Sequence, residues 1–80
     1  MNSTLITNLG NCIEYMRSAA VYLDMVIQEI RFFSPMLEVP KGAVLSQLEL
    51  QRTRILEAAS ILQSLTESTI IMRKNDENHP

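Results

Sequence analysis

The sequence predicts an all-α fold, an antiparallel two-helix hairpin (αα-hairpin) completed by a partner or by self-association into a helical bundle. Three observations carry that expectation. Apolar residues recur at helical spacing through both halves of the 80-residue chain. Pro35 and Pro40 interrupt the pattern near its middle. Folding the chain there sets small residues of one half against small residues of the other.

The first helix is expected from about Ser3 to Phe33. Leu9, Met16, Leu23 and Ile30 lie seven apart, and Ile13, Ala20 and Ile27 follow the first three by four. Cys12, Ala19, Val26 and Phe33 fill the remaining +3 positions, so the apolar face reads as wide. Ser3 or Thr4 can cap the start, with Gly10 as a weak point. A later start is also open, because Asn11 followed by Glu14 resembles a capping box and would leave the residues before Gly10 outside the helix.

Pro35 ends this helix, since its ring clashes with a continuing helix and drives Ser34 toward extended geometry. The turn, about 34–39, is too short for anything but an antiparallel neighbour. The second helix is expected from about Pro40 to Arg73, with Arg73 and Lys74 suited to its negative end, and 75–80 as a disordered tail. Its main stripe is Leu45, Leu48, Ile55, Leu56, Ala59, Leu62 and Ile70. A fold at about residue 38 brings Leu9 to Ile70, Ala19 and Ala20 to Ala58 and Ala59, Leu23 to Ile55, and Ile30 to Leu48. The whole chain, 1–80, forms one domain.

A stripe facing one neighbour should leave the opposite face polar, and neither helix complies. Val21, Met25 and Phe32 project away from the first stripe, with Tyr15 and Tyr22 at its edge; Leu50, Ile61, Leu65 and Met72 form a second line on the second helix. Burying one such side chain stabilises by about 1.5–3 kcal/mol, so leaving them all exposed forfeits a sum comparable to a small domain's stability. These nine are the expected partner-binding residues. Met16, Met25 and Met72 add adaptable surface or core filler. A chain this short, 46% hydrophobic and 20% charged, has one cysteine and so no internal disulfide; association is the remaining route to stability. Self-association into a four-helix bundle is the alternative to a different partner.

Composition sets aside several functions. A net charge of -2 disfavours nucleic acid and anionic membrane surfaces. Glu14, Arg17, Asp24, Glu29 and Arg31 interrupt the apolar stretch, so no membrane span is expected. Met1 to Asn8 lacks the basic and apolar regions of a signal peptide, which makes the cytoplasm the expected location and the Asn2-Ser3-Thr4 glycosylation pattern incidental. No enzyme, cofactor or metal is expected. His79 sits next to last, Cys12 is expected as a buried inert thiol, and Glu14, Asp24 and Glu29 read as a solvated face. Two glycines cannot make a phosphate loop, and Glu49 with Arg52, and Arg54 with Glu57, suit intrahelical ion pairs.

The run Gln51-Arg52-Thr53-Arg54-Ile55-Leu56-Glu57-Ala58-Ala59-Ser60-Ile61-Leu62 resembles the second helix of the small type III secretion needle co-chaperones, the YscE/PscE/SsaE-like group. The resemblance covers about a third of the chain. It implies a cytoplasmic heterodimer or heterotrimer, in which the hairpin packs on a tetratricopeptide-like chaperone that cradles a secretion substrate. The surplus apolar stripes would then be the docking surface. Phe32-Phe33-Ser34-Pro35 departs from the polar, Gly-containing turn of that group. A self-dimerising regulator or phage-type inhibitor of a target protein is the alternative function.

Overall fold

The structure, a computed structural model, describes residues 3–33 and 40–77, with only the backbone of Phe33, Asp76 and Glu77. It is an all-α helical hairpin of two elements, α1 over Ser3–Phe33 and α2 over Lys41–Glu77, packed along one another. Among the described residues there is no strand. At 1.5 Å per residue, helices of 31 and 37 residues run about 46 and 55 Å. The rod measures 67 × 15 × 14 Å, and its radius of gyration of 18.5 Å compares with about 12 Å for a compact domain of this length.

Helix α1 starts at the earlier of its two expected positions and passes through Gly10 unbroken. No side chain crowds that glycine, and its φ is negative, so nothing there demands glycine. The turn expected over 34–39 lies outside the described residues. Pro40 precedes α2 and acts as its N-cap residue: its carbonyl accepts the first helical bond from the Val44 amide at 3.1 Å. At the same end, the Lys41 ammonium donates to the Arg31 carbonyl at 2.8 Å, satisfying one of the orphan acceptors that terminate α1. Helix α2 continues to Glu77, four residues past its expected end. Asn75 to Glu77, expected in a tail, are helical because no proline or glycine follows Arg73 until Pro80.

The core is one seam. On α1 it runs through Ile6, Leu9, Ile13, Met16, Ala20, Leu23, Ile27 and Ile30, in alternating steps of three and four. Leu9, Ile13, Ala20 and Ile27 are buried and Ile27 is fully so, while the other four are half-buried. On α2 the same steps pick out Leu45, Leu48, Arg52, Ile55, Ala59, Leu62, Thr66 and Thr69, with Ala59 buried and the rest half-buried. Ion pairs between Arg31 and Glu49 and between Arg52 and Asp24 fix the register, placing residues whose numbers add to about 78 at one level of the rod. Buried Ala20 and Ala59 therefore share a level, as expected from folding the chain near residue 38.

The seam is narrower than the sequence suggests. Cys12, Ala19 and Val26 are exposed, not buried, because each precedes a seam residue by one position and is turned about 100° from it. Leu56 and Ile70, expected inward on α2, are exposed for the mirrored reason, each following a seam residue by one. A single neighbouring helix covers a strip, not half a cylinder. Arg52, Thr66 and Thr69 take the inward positions that Leu56 and Ile70 do not. The threonine hydroxyls donate to the carbonyls of Leu62 and Leu65, each at 2.8 Å, so they enter the seam without losing a hydrogen bond.

Two stability measurements test this packing. Ile27→Ala should lower the unfolding free energy by about 2–4 kcal/mol in urea titration, because a fully buried side chain leaves a cavity. Gly10→Ala should raise it by about 0.5–1 kcal/mol, since the added methyl enters open space within a helix.

Candidate protein-interaction surface

The seam divides the rod lengthwise into two sides. On α1, Arg17, Asp24 and Arg31 flank the seam on one side, and Leu5, Cys12, Ala19 and Val26 on the other. On α2 the corresponding flanks are Glu49, Leu56, Gln63 and Ile70, against Val44, Gln51, Ala58, Leu65 and Met72. Arg31 bonds Glu49 and Arg52 bonds Asp24, so the first flank of each helix belongs to one common side. The second flanks therefore share the opposite side.

The two sides differ in chemistry. Glu14, Gln28, Thr53, Ser60 and Glu67 border the ion-paired side, where Val21, Leu56 and Ile70 are its apolar exceptions. On the opposite side Tyr15 and Tyr22 continue the α1 flank outward and Ile61 continues that of α2. Among the described residues, charges reach that border at Glu29 and Arg54, and Asn8, Gln47, Ser68 and Asn75 are its uncharged polar members. Tyr15 is 77% exposed, Tyr22 68%, Ile61 69% and Met72 67%, so large apolar side chains stand unburied on this side among uncharged polar ones such as Asn8 and Gln51. A shallow open groove of about 570 Å³ runs along it, lined by Asn8, Asn11, Cys12, Tyr15, Met16, Ala19 and Ile55. Small Cys12 and Ala19 line it together with Tyr15.

All nine expected partner-binding residues are exposed. Tyr15, Tyr22, Ile61, Leu65 and Met72 come together on the apolar side. Val21 falls on the ion-paired side, and Met25, Phe32 and Leu50 point outward along the ridges of the two helices, away from the seam. The sequence reading missed Leu5 and Val26, which join the apolar side, and Ile71, which lies on the outer ridge of α2. The seven-residue spacing of Leu5, Cys12, Ala19 and Val26 was the available signal, but three of those four were assigned inward.

The charges also differ from expectation. Glu49 and Arg52, expected to pair within α2, each reach across to α1 instead, because Arg52 enters the seam beside Asp24 and Glu49 stands level with Arg31. Asp24 is thus half-buried and paired, not part of a freely solvated face. Arg54 and Glu57 form no ion pair among the described residues. Side chains in both cross-helix pairs remain at least one-third exposed, which holds each to less than about 1 kcal/mol; their effect is on register more than on stability.

Among the described residues no group of His, Cys, Asp and Glu is placed to hold a metal ion, and no helix is long and apolar enough to cross a membrane. His79 lies outside the described residues. No family model, curated protein or solved structure matches the chain.

Asp24→Asn should lower stability by about 0.5 kcal/mol or less in low salt. The difference from the unaltered chain should disappear in 1 M salt, where the screening length falls to about 3 Å. Thermal melts of both chains across a salt series check this.

Proposed function

We propose that this chain is a non-enzymatic protein-binding hairpin, a co-chaperone that stabilises a partner chaperone and its secretion substrate in the cytoplasm. The observation that supports this reading is the apolar side, where Tyr15, Tyr22, Ile61, Leu65 and Met72 stand exposed together. Exposed apolar area of that extent on so small a chain favours a surface that another protein covers. The two aromatic rings are rigid anchors of the kind that dominate binding energies.

The resemblance of the 51–62 segment to the needle co-chaperones supplies the more specific form of the proposal: a heterodimer with a tetratricopeptide-like chaperone. A concave array of helices presents apolar grooves into which a straight helical rod can lie. Docking there extends the helix-on-helix packing that the hairpin already uses, with the apolar side as the contact and the ion-paired side left in water. The exposed ridges at Met25, Phe32 and Leu50 would add contacts where a curved partner wraps the rod.

Co-expression with the tetratricopeptide-like chaperone of a needle secretion system, followed by co-purification, tests the reading. The unaltered chain should be recovered in a stoichiometric complex. Ile61→Asp, exposed in the hairpin and therefore neutral to its fold, should reduce recovery at least about tenfold, the effect of losing about 1.4 kcal/mol or more from a buried apolar contact. Circular dichroism should show unchanged helicity. Equal recovery of both chains would refute the apolar side as the docking surface.

A further inference from the structure

We propose that the chain, in the absence of another protein, pairs with a second copy of itself. The two hairpins stack apolar side to apolar side, about a two-fold axis parallel to the rod. This rests on the apolar side described above and is independent of the co-chaperone reading. Elongation leaves the hairpin with surface to cover: it exposes 6188 Å² over all its faces, whereas a compact monomer of 9.1 kDa exposes about 4,900 Å², or about 1,300 Å² less. A stable complex takes roughly 800 Å² from each partner, and a second rod laid side by side makes contact along the full length.

The choice of axis follows from register and charge. A two-fold axis parallel to the rod leaves every residue at its own level, so the register set by the Asp24–Arg52 and Arg31–Glu49 pairs carries over to the contact between copies. Helix α1 of one copy then lies over α2 of the other, and every neighbouring pair of helices is antiparallel. Ala19 comes level with Ala58 of the second copy, which lets the helices approach closely at mid-rod. Tyr15 comes level with Ile61 of the second copy, aromatic against aliphatic. Arg54 of the second copy falls between Tyr22 and Glu29, offering its guanidinium to an aromatic face and a carboxylate.

A two-fold axis across the rod gives a poorer fit. It lays α1 on α1 and α2 on α2, which puts the Glu29 border and the Arg54 border on opposite edges of the bundle whatever the sliding position. The two charges at the border of the apolar side then have no opposite charge to meet. The axis parallel to the rod alone brings together the rows whose chemistries match.

Cysteine cross-linking of the full chain tests both the dimer and its axis. The variant carries Tyr15→Cys and Ile61→Cys in a Cys12→Ser background. Within one hairpin these positions lie on opposite outer borders of the apolar side, on helices whose axes are about 8–10 Å apart, too far for a disulfide, which needs Cα atoms within about 7 Å. Between copies they face each other. Light scattering of the unaltered chain should give twice the 9.1 kDa mass, and mild oxidation of the variant should convert most of it to a reducible covalent dimer.

A control carrying Met25→Cys and Leu50→Cys, both on outward ridges, should cross-link at least about tenfold less. A monomeric mass for the unaltered chain overturns the proposal, as does a dimeric mass with no cross-link between positions 15 and 61. A monomer that a chaperone captures would remove this dimer and keep the co-chaperone reading; a cross-linked dimer that no chaperone captures would do the reverse.

Discussion

Two helices can share only one seam, and most of the structure follows from that constraint. Each helix turns through 100° per residue, so a single neighbour covers a strip built from alternating steps of three and four. In α1 that strip buries Leu9, Ile13, Ala20 and Ile27; in α2, among the described residues, it buries Ala59 alone. One residue off the seam, apolar side chains such as Cys12, Ala19, Val26, Leu56 and Ile70 are turned to water. The length of the rod does not alter this, because more helix adds more seam and more exposed apolar flank together. A globular chain of the same size would solve the problem with a third layer, which this chain lacks among its described residues.

The seam is not uniformly apolar, and its exceptions are built into the hydrogen bonding. Arg52 occupies an inward position and resolves its charge by reaching Asp24 across the hairpin. Thr66 and Thr69 turn their hydroxyls back onto their own helix. Their half of α2 sets threonines in the seam where the other sets Leu45 and Leu48, while its outward faces carry Leu65, Ile71 and Met72. Apolar area has thus been moved from the seam to the flank on this helix. Such a distribution weakens the isolated hairpin and strengthens whatever second layer is added.

Much of this architecture was legible in the sequence, because long strongly periodic helices declare themselves. The two long helices, the start of α2 beside Pro40 and the mid-rod meeting of alanines followed from periodicity and proline chemistry, while periodicity left two starts open for α1. What was not legible was the width of the seam. Cys12, Ala19, Val26, Leu56 and Ile70 are apolar residues adjacent to seam positions, and hydrophobicity alone does not tell a flank from a core when both are apolar. Their sides are separated only by the cross-helix ion pairs, and those depend on register. At three residues apart, Glu49 and Arg52 make a reasonable pair within one helix; only the neighbouring helix shows that each has a better-placed partner. Of the expected interaction residues, the five that share a side could not be told from Val21, Met25, Phe32 and Leu50 without that division.

The division into an ion-paired and an apolar side also decides where a second layer can lie. Covering the ion-paired side would strip water from Arg31, Glu49, Asp24 and Arg52, and desolvating a charge pair commonly offsets or exceeds what its mutual attraction returns. Covering the apolar side strips water from tyrosine rings, leucine, isoleucine and methionine, which favours association outright. The same ion pairs therefore act twice. They hold the two helices in register, and by keeping one side hydrated they leave the other as the face where burial is favourable. Any second layer, whether the partner proposed above or a second copy, would find its approach direction set before contact forms, because only one side of the rod favours burial.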